Sequence, residues 1–255
     1  MKSRMNSPHP GRPVKANVPS LNGVLLLAVL ALATVAATTQ AASITQTNAY
    51  ASTDWSNAYW GIFTKIKTND LINSGQTSLS SVSYNTIGSI TGSTASLNDG
   101  TAGTNFWNLA EYAYCNAEAS FTFTLNTAVN RNGYDLTGVD AFAAWNDAAL
   151  VAQHFKISYT TVTDATVRDL YEASYAPADV AAVATSVSLS SSDSSFLVSG
   201  VKTIIFTSYV LNGAGISPVW RELDVQGVAS PVPEAASLIS LGMGAMLLLR
   251  RRRSV

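Results

Sequence analysis

The sequence predicts an all-β chain: an antiparallel β-sandwich of the jelly-roll type, flanked by an N-terminal signal helix and a C-terminal transmembrane helix. Three observations carry this expectation. Between residues 42 and 230, short runs rich in Val, Ile, Thr, Tyr and Phe alternate with clusters of Gly, Asn, Asp and Ser, the punctuation of strands and turns. Within Ser120-Phe121-Thr122-Phe123-Thr124-Leu125, apolar and hydroxyl side chains alternate strictly, so one face meets a core and the other meets solvent. Outside this region lie two uncharged apolar runs, one near each end of the chain.

The first of these begins the chain. Residues 1–22 carry Lys2, Arg4, Arg12 and Lys15 with no acidic residue, and an apolar run follows from Val24 to Val35. Thr39-Gln40-Ala41 then places small side chains where a signal peptidase reads them, so residues 1–41 are expected to be a signal peptide removed on export. No twin arginine precedes the run, which favours the general secretory route.

The body, residues 42–226, holds the candidate strands Ser43–Tyr50, Ser81–Ile90, Ala119–Leu125, Gly138–Trp145, His154–Thr161, Ala182–Leu189, Lys202–Val210 and Val219–Val225. The period of two recurs in Phe155-Lys156-Ile157-Ser158-Tyr159 and in Lys202-Thr203-Ile204-Ile205-Phe206. Several antiparallel strands at this spacing argue a sandwich. Two stretches are expected to be helical, Asp54–Thr64 and Ala176–Val183, the second with Pro177 in its first turn. Asn132-Gly133 and Asn212-Gly213 mark tight turns. Residues 227–230 are expected to be a linker.

The chain closes on a motif Val232-Pro233-Glu234-Ala235, an uncharged apolar run 235–249, and the basic cluster Arg250, Arg251, Arg252 and Arg253. Fifteen helical residues cover about 22 Å against about 30 Å of bilayer hydrocarbon. Snorkelling arginines and local thinning make up the difference, and the arginines hold the tail in the cytoplasm with the body outside. This three-part ending, residues 231–255, resembles the PEP-CTERM sorting signal of exopolysaccharide-producing Gram-negative bacteria. The resemblance implies recognition by an exosortase-type membrane transpeptidase that cuts near Pro233-Glu234. Ala235 stands where that family usually has a second proline. The implied route is export across the inner membrane, transient anchoring, and delivery to the cell surface or extracellular matrix.

Charge narrows the partners. Eight of the 15 basic residues lie in the two ends, leaving the body with seven basic against 15 acidic residues, a net charge of −8. Nucleic acids and anionic membrane surfaces are bound mainly through lysine and arginine, so neither suits this body. Cys115 is the only cysteine. No internal disulfide can form, so stability falls to the core or to a metal; Cys115 reads as a small buried hydrophobe rather than an interchain link.

Four segments resemble the galactose-binding-like, discoidin-type jelly roll over residues 79–227. They are Ala95-Ser96-Leu97-Asn98-Asp99-Gly100-Thr101 with Phe106-Trp107; the strand Ala119–Leu125; Val139–Tyr159 with its Ala-Trp-Asn-Asp turn; and Trp220-Arg221-Glu222-Leu223-Asp224-Val225. The resemblance implies a structural calcium held by Asp99, the hydroxyl of Thr101 or Thr104, Glu222 and backbone carbonyls, six to eight oxygens being what this hard cation takes. The alternative is a plain Asp-Gly turn and an ion-paired strand glutamate. The resemblance also implies carbohydrate binding in loops at one end of the sandwich, where an aromatic ring stacks on a sugar and polar side chains bond its hydroxyls. Candidates are Trp60, with Trp55 and Tyr59 beside it, and Trp145, Asn146, Asp147 and His154. Trp145, at a strand end, is alternatively a core residue; Trp107 and Trp220 read as core.

No nucleophile elbow, paired histidine ligands or Gly-rich phosphate loop is present, and of the two histidines His9 leaves with the signal peptide. The expected function is that of a non-catalytic surface or matrix protein whose body binds exopolysaccharide. The alternative is a structural or adhesive surface protein without a sugar site. Ice or mineral binding is disfavoured because the sequence lacks regular short Thr repeats.

Overall fold

A computed structural model describes residues 43–52, 62–104, 107–193, 195–211 and 215–231. Both expected terminal helices, the sorting motif 232–235 and most of the expected helix Asp54–Thr64 lie outside them. Among the described residues no helix is long and apolar enough to cross a membrane.

The described residues form eleven strands: β1 (Ile44–Ser52), β2 (Leu79–Thr86), β3 (Ile90–Gly92), β4 (Ala113–Cys115), β5 (Ala119–Leu125), β6 (Tyr134–Ala144), β7 (Gln153–Thr161), β8 (Arg168–Tyr175), β9 (Ala182–Ser191), β10 (Val198–Ser208) and β11 (Trp220–Ala229). All pairings are antiparallel. Two layers follow, β2-β5-β10-β7-β8 and β1-β9-β6-β11-β4-β3. They join where the start of β10 crosses over to β6, with Val198 opposite Leu136 and Val201 opposite Tyr134. On the far side β1 approaches β8, and Gln46 Nε2 donates to the Ser174 carbonyl at 3.3 Å. The result is the expected all-β sandwich, nearly closed into a barrel.

The strict alternation of β5 is realised: Ala119, Phe121, Phe123 and Leu125 are buried, and Ser120, Thr122 and Thr124 face outward. Between the layers Phe206 packs on Phe155 (4.9 Å) and Trp220 (5.0 Å), and the Trp220 indole N–H donates to Ser208 Oγ at 2.8 Å. Trp220 is thus core, as expected. Cys115 is fully buried, and burial pushes its thiol up to about 11.

β11 is buried on both faces from Trp220 to Val225. Its register against β6 shifts between Trp220 and Glu222. Such a bulge inverts the alternation, so Trp220, Leu223 and Val225 all join the main core. Arg221, Glu222 and Asp224 are left on the opposite face, and they too are buried. A second cluster covers that outer side of the layer, with Ile62 and Phe63 packed on Phe142, Ala144 and Ala184. Leu71 N–H donates to the Val225 carbonyl at 2.8 Å and so pins the segment before β2 across β11.

Several expectations are corrected. Ala176–Val183 is not a helix: Asp179 closes a turn by accepting from Ala181 N–H at 2.9 Å, and the chain then enters β9 between β1 and β6. Two ladders of backbone bonds outweigh a weak local helical preference. The single strand expected over Ser81–Ile90 is two, because the chain turns at Gly88 to pair β3 with β4. Residues 227–230 are not a linker. Gly227, Val228 and Ala229 pair with Leu136, Asp135 and Tyr134, and Ser230 is buried with its hydroxyl donating to Asp135 Oδ1. The Asn132-Gly133 turn is present, with Gly133 at φ +77°; a Cβ there would lie 2.6 Å from the Val201 carbonyl oxygen.

Phe206→Ala removes a ring that packs against three other aromatic residues, Phe121, Phe155 and Trp220. It is expected to lower unfolding free energy by about 3–5 kcal/mol, read as a lowered denaturant midpoint at unchanged slope.

Candidate functional site

Trp145 follows β6 directly, held there by its N–H donating to the Val183 carbonyl at 3.0 Å. Its half-buried ring meets Trp107 edge to face at 5.0 Å and Tyr112 at 5.1 Å. Tyr112 stacks on Tyr114 at 6.2 Å. The Arg221 guanidinium lies 5.2 Å from the Tyr112 ring centre, donates through Nε to the Ala144 carbonyl (3.4 Å) and through an η nitrogen to the Glu111 carbonyl (3.1 Å). Trp107, expected in the core, is instead 62% exposed. The four rings form a shelf with Trp107 at its open edge and the buried Arg221 at its base.

Asn146 and Asp147 follow Trp145 and are exposed. Asp147 Oδ1 accepts from Ala149 N–H at 2.9 Å and caps the 3₁₀ turn Ala148–Leu150. His154 belongs to another neighbourhood. On β7 its Nε2 lies 2.9 Å from Glu172 Oε1 of β8, and its ring lies 4.6 Å from that of Tyr209. The fold therefore joins Trp145 with Trp107 and Tyr112, leaves Asn146 and Asp147 exposed on the turn that follows Trp145, and sets His154 apart. Trp60, Trp55 and Tyr59 lie outside the described residues.

The second candidate site is the loop 99–104 against β11. Gly100 N–H donates to Glu222 Oε2 at 3.2 Å, which brings Asp99 beside Glu222. The two threonines differ: Thr101 uses its hydroxyl within the loop, while Thr104 bonds outside it through its backbone. Thr101 Oγ1 accepts from Gly103 N–H at 2.8 Å, and Thr104 N–H donates to Glu111 Oε2 at 2.6 Å. Asp99 Oδ1 accepts from Thr101 N–H at 3.0 Å. Behind the loop is a cavity of roughly 270 Å³ bounded by Phe63, Ile66, Ala102 and Thr104.

Glu222, Asp224 and Asp70 place carboxylates under this cover with little to neutralise them. Asp70 Oδ1 accepts from Ile72 and Val225 N–H at 2.9 and 3.2 Å, and Asp224 Oδ2 accepts from Lys67 N–H at 2.7 Å. Asp70 Oδ2, Glu222 Oε1 and Asp224 Oδ1 are buried and accept no hydrogen bond. Burial, reinforced by the charges of Asp224 and Asp99, pushes Glu222 up to about 10. Burial and the charge of Asp70 push Asp224 up to about 8. Among the described residues no three acidic, histidine or cysteine side chains converge closely enough to hold a metal by themselves. A cation beside Glu222 would have to take most of its ligands from backbone carbonyls and hydroxyls, oxygen donors that calcium accepts. Orphaned buried oxygens of this kind fit such an ion, since an unpartnered buried acceptor is costly.

Sequence reasoning passed over Tyr112, Tyr114, Arg221 and Glu111. Glu111 joins both sites, taking Thr104 N–H on one oxygen and Asn108 Nδ2 on the other at 2.8 Å while its carbonyl receives Arg221. The alternation Tyr112-Ala113-Tyr114 and the lone cation of the last strand were the available signals.

No protein-family model and no curated protein matches the chain. Solved structures overlap it loosely. The family 32 carbohydrate-binding module of C. perfringens NanJ, solved with galactose, is 13% identical over 56% of this chain and 92% of its own, with a TM-score of 0.37. The GH31 module CBM32-2 bound to GalNAc is 14% identical over 58% and 99%, also with a TM-score of 0.37. Chitosan-binding module 1 of a Paenibacillus sp. IK-5 chitosanase/glucanase is 12% identical over 62% and 99%, with a TM-score of 0.35. Overlap this loose assigns the chain neither a family nor a ligand.

The carboxylates set a pH dependence. Glu222 and Asp224 hold protons more tightly folded, near 10 and 8, than at their ordinary values of 4.5 and 3.8, so the folded chain binds more protons than the unfolded one between about pH 4 and 10. Stability then falls as pH rises through that window. In the presence of chelator, the melting temperature is expected to drop from pH 5 to pH 9, and Glu222→Gln to flatten that drop. An equal slope in wild type and variant contradicts the assignment.

Proposed function

We propose that this chain is an exported, non-catalytic surface or matrix protein whose sandwich binds carbohydrate on the aromatic shelf. The observation that carries the reading is Trp107: a large aromatic ring 62% exposed yet braced edge-on by Trp145. A ring held this way offers a flat apolar face to the C–H side of a sugar with little rotamer entropy left to lose. Asn146 and Asp147, exposed beside Trp145, supply an amide and a carboxylate for hydroxyls. With a body charge of −8, a neutral exopolysaccharide or a cation-bridged one suits the surface better than a free polyanion. The resemblance of residues 79–227 to the galactose-binding-like family implies the same ligand class.

Calcium belongs to this reading as a structural ion. Asp99 and Glu222 would hold it together with backbone oxygens of the 99–104 loop and a hydroxyl of Thr101 or Thr104, and it would supply the positive charge that the buried carboxylates lack. Because Glu111 bonds both that loop and Arg221, ion binding would also steady the shelf.

Delivery rests on the two chain ends. Signal peptidase would remove residues 1–41, and an exosortase-type transpeptidase would act near Pro233-Glu234, leaving the body at the cell surface or in the matrix. β11 ends at Ala229 and Ser230 is buried, so the motif at 232–235 follows the folded body directly.

Two measurements test the proposal. On a glycan array probed with the detergent-solubilised full chain at millimolar calcium, Trp107→Ala is expected to weaken retention at least tenfold, about 1.4 kcal/mol. Trp145→Ala should act likewise and His154→Ala should have little effect; retention of no glycan by wild type would favour the protein-contact alternative. The intact mass of the mature protein from cells should lack residues 1–41 and the segment after Glu234. Recovery of the full-length mass would sink the sorting route.

A further inference from the structure

The layer β2-β5-β10-β7-β8 ends on β2, which pairs with β5 alone among the described strands. An open edge strand presents a row of unpaired backbone groups, and proteins usually guard it with charge, proline or brevity. The other free margins are guarded. β8 carries Arg168, Asp169 and Glu172, β3 has three residues, and the outer side of β1 lies against β8. β2, reading LSSVSYNT over eight residues, has no charge, no proline and no glycine.

Its side chains make the exposure more pointed. Val82 and Tyr84 stand opposite Phe123 and Phe121, which are almost completely buried. Residues directly paired across a ladder point to the same face, so Val82 and Tyr84 point to the core side of the layer. Yet they are 40% and 58% exposed. The apolar side of the sheet thus runs one strand beyond its cover.

Charge says what fits there. Residues 71–98 contain no charged residue, and neither do residues 119–130, the stretch that includes β5. This margin is neutral in a body of net charge −8. A charged partner strand would bury its charges without a counter-ion, whereas β2 is matched in charge and in apolar pattern by itself.

We propose that β2 is a homodimer edge, at which a second copy of this chain adds its own β2 antiparallel about a two-fold axis and continues the five-stranded layer into ten. Centred on Ser83, this pairing sets Val82 of each copy against Tyr84 of the other on the apolar side. Ser81 of each copy meets Asn85 of the other on the hydroxyl side. The isologous geometry closes after two copies, so the edge is consumed rather than propagated.

The two-fold gives a direct test. Directly opposed residues of antiparallel strands have Cα atoms about 4.5 or 5.5 Å apart, within the range a disulfide spans. Cys115 is buried with a raised pKa, so it does not compete with an introduced cysteine. Purified full-length Ser83→Cys, oxidised with copper phenanthroline in detergent, is expected to run as a covalent dimer on a non-reducing gel. Val180→Cys, at a position 92% exposed between β8 and β9, reports chance collisions within a shared micelle and should cross-link at least tenfold more slowly. Adding Tyr84→Lys to Ser83→Cys should reduce the dimer to the Val180→Cys level while leaving the circular dichroism spectrum unchanged. If Ser83→Cys cross-links no faster than Val180→Cys, or if Tyr84→Lys leaves its rate intact with the fold preserved, the dimer edge is wrong.

Discussion

The structure depends on one strand that is buried on both faces. From Trp220 to Val225, β11 gives the main core Trp220, Leu223 and Val225, and sends Arg221, Glu222 and Asp224 to the other side. That side would ordinarily be the wet face of an antiparallel layer. Here segments 62–73 and 97–104 close over it, and three carboxylates are sealed beneath backbone donors too few to satisfy them. Raised pKa values, the hydrogen bond from Gly100 and the anchoring of Asp70 to Val225 N–H all follow from this cover.

Much of the layer arrangement was legible because side-chain alternation is written in residue types. Ala119–Leu125 matches β5 residue for residue, and the strands around Phe155 and Ile204 lie where their alternation puts them. β8 escaped notice because both its faces read as polar or mixed, with Arg168, Asp169 and Glu172 among its eight residues. β4, with three residues, is too short to carry a period. The bulge in β11 could not be seen at all. A one-residue slip leaves the composition unchanged while moving Arg221 and Glu222 onto the same side.

The candidate sites divide along the same line. That Asp99 and Glu222 meet was implied by the resemblance, and the fold brings them together. That the Thr101 hydroxyl is taken by Gly103 N–H and that Thr104 N–H is turned to Glu111 depends on the path of residues 99–104, including glycines at positive φ at 100 and 103. Trp107 was misread because an aromatic side chain signals affinity for apolar surface without saying whether that surface is core or shelf. His154 stood close to Trp145 in sequence, but the 3₁₀ turn Ala148–Leu150 carries the chain from one layer to the other and separates them.

The two sites are not independent, because Arg221 and Glu222 are consecutive residues on β11. Arg221 reaches up to the Glu111 carbonyl and the Tyr112 ring, and Glu222 takes the amide of Gly100. Glu111 completes the circuit by accepting the amide of Thr104 at the far end of the same loop. Charge that accumulates on Glu222 acts on the loop 99–104, and any displacement of that loop pulls on Glu111 and hence on the segment carrying Trp107 and Tyr112. β2 lies in the opposite layer and shares none of these bonds. Pairing at that edge therefore leaves the shelf geometry untouched, and a dimer would present two shelves rather than one altered one.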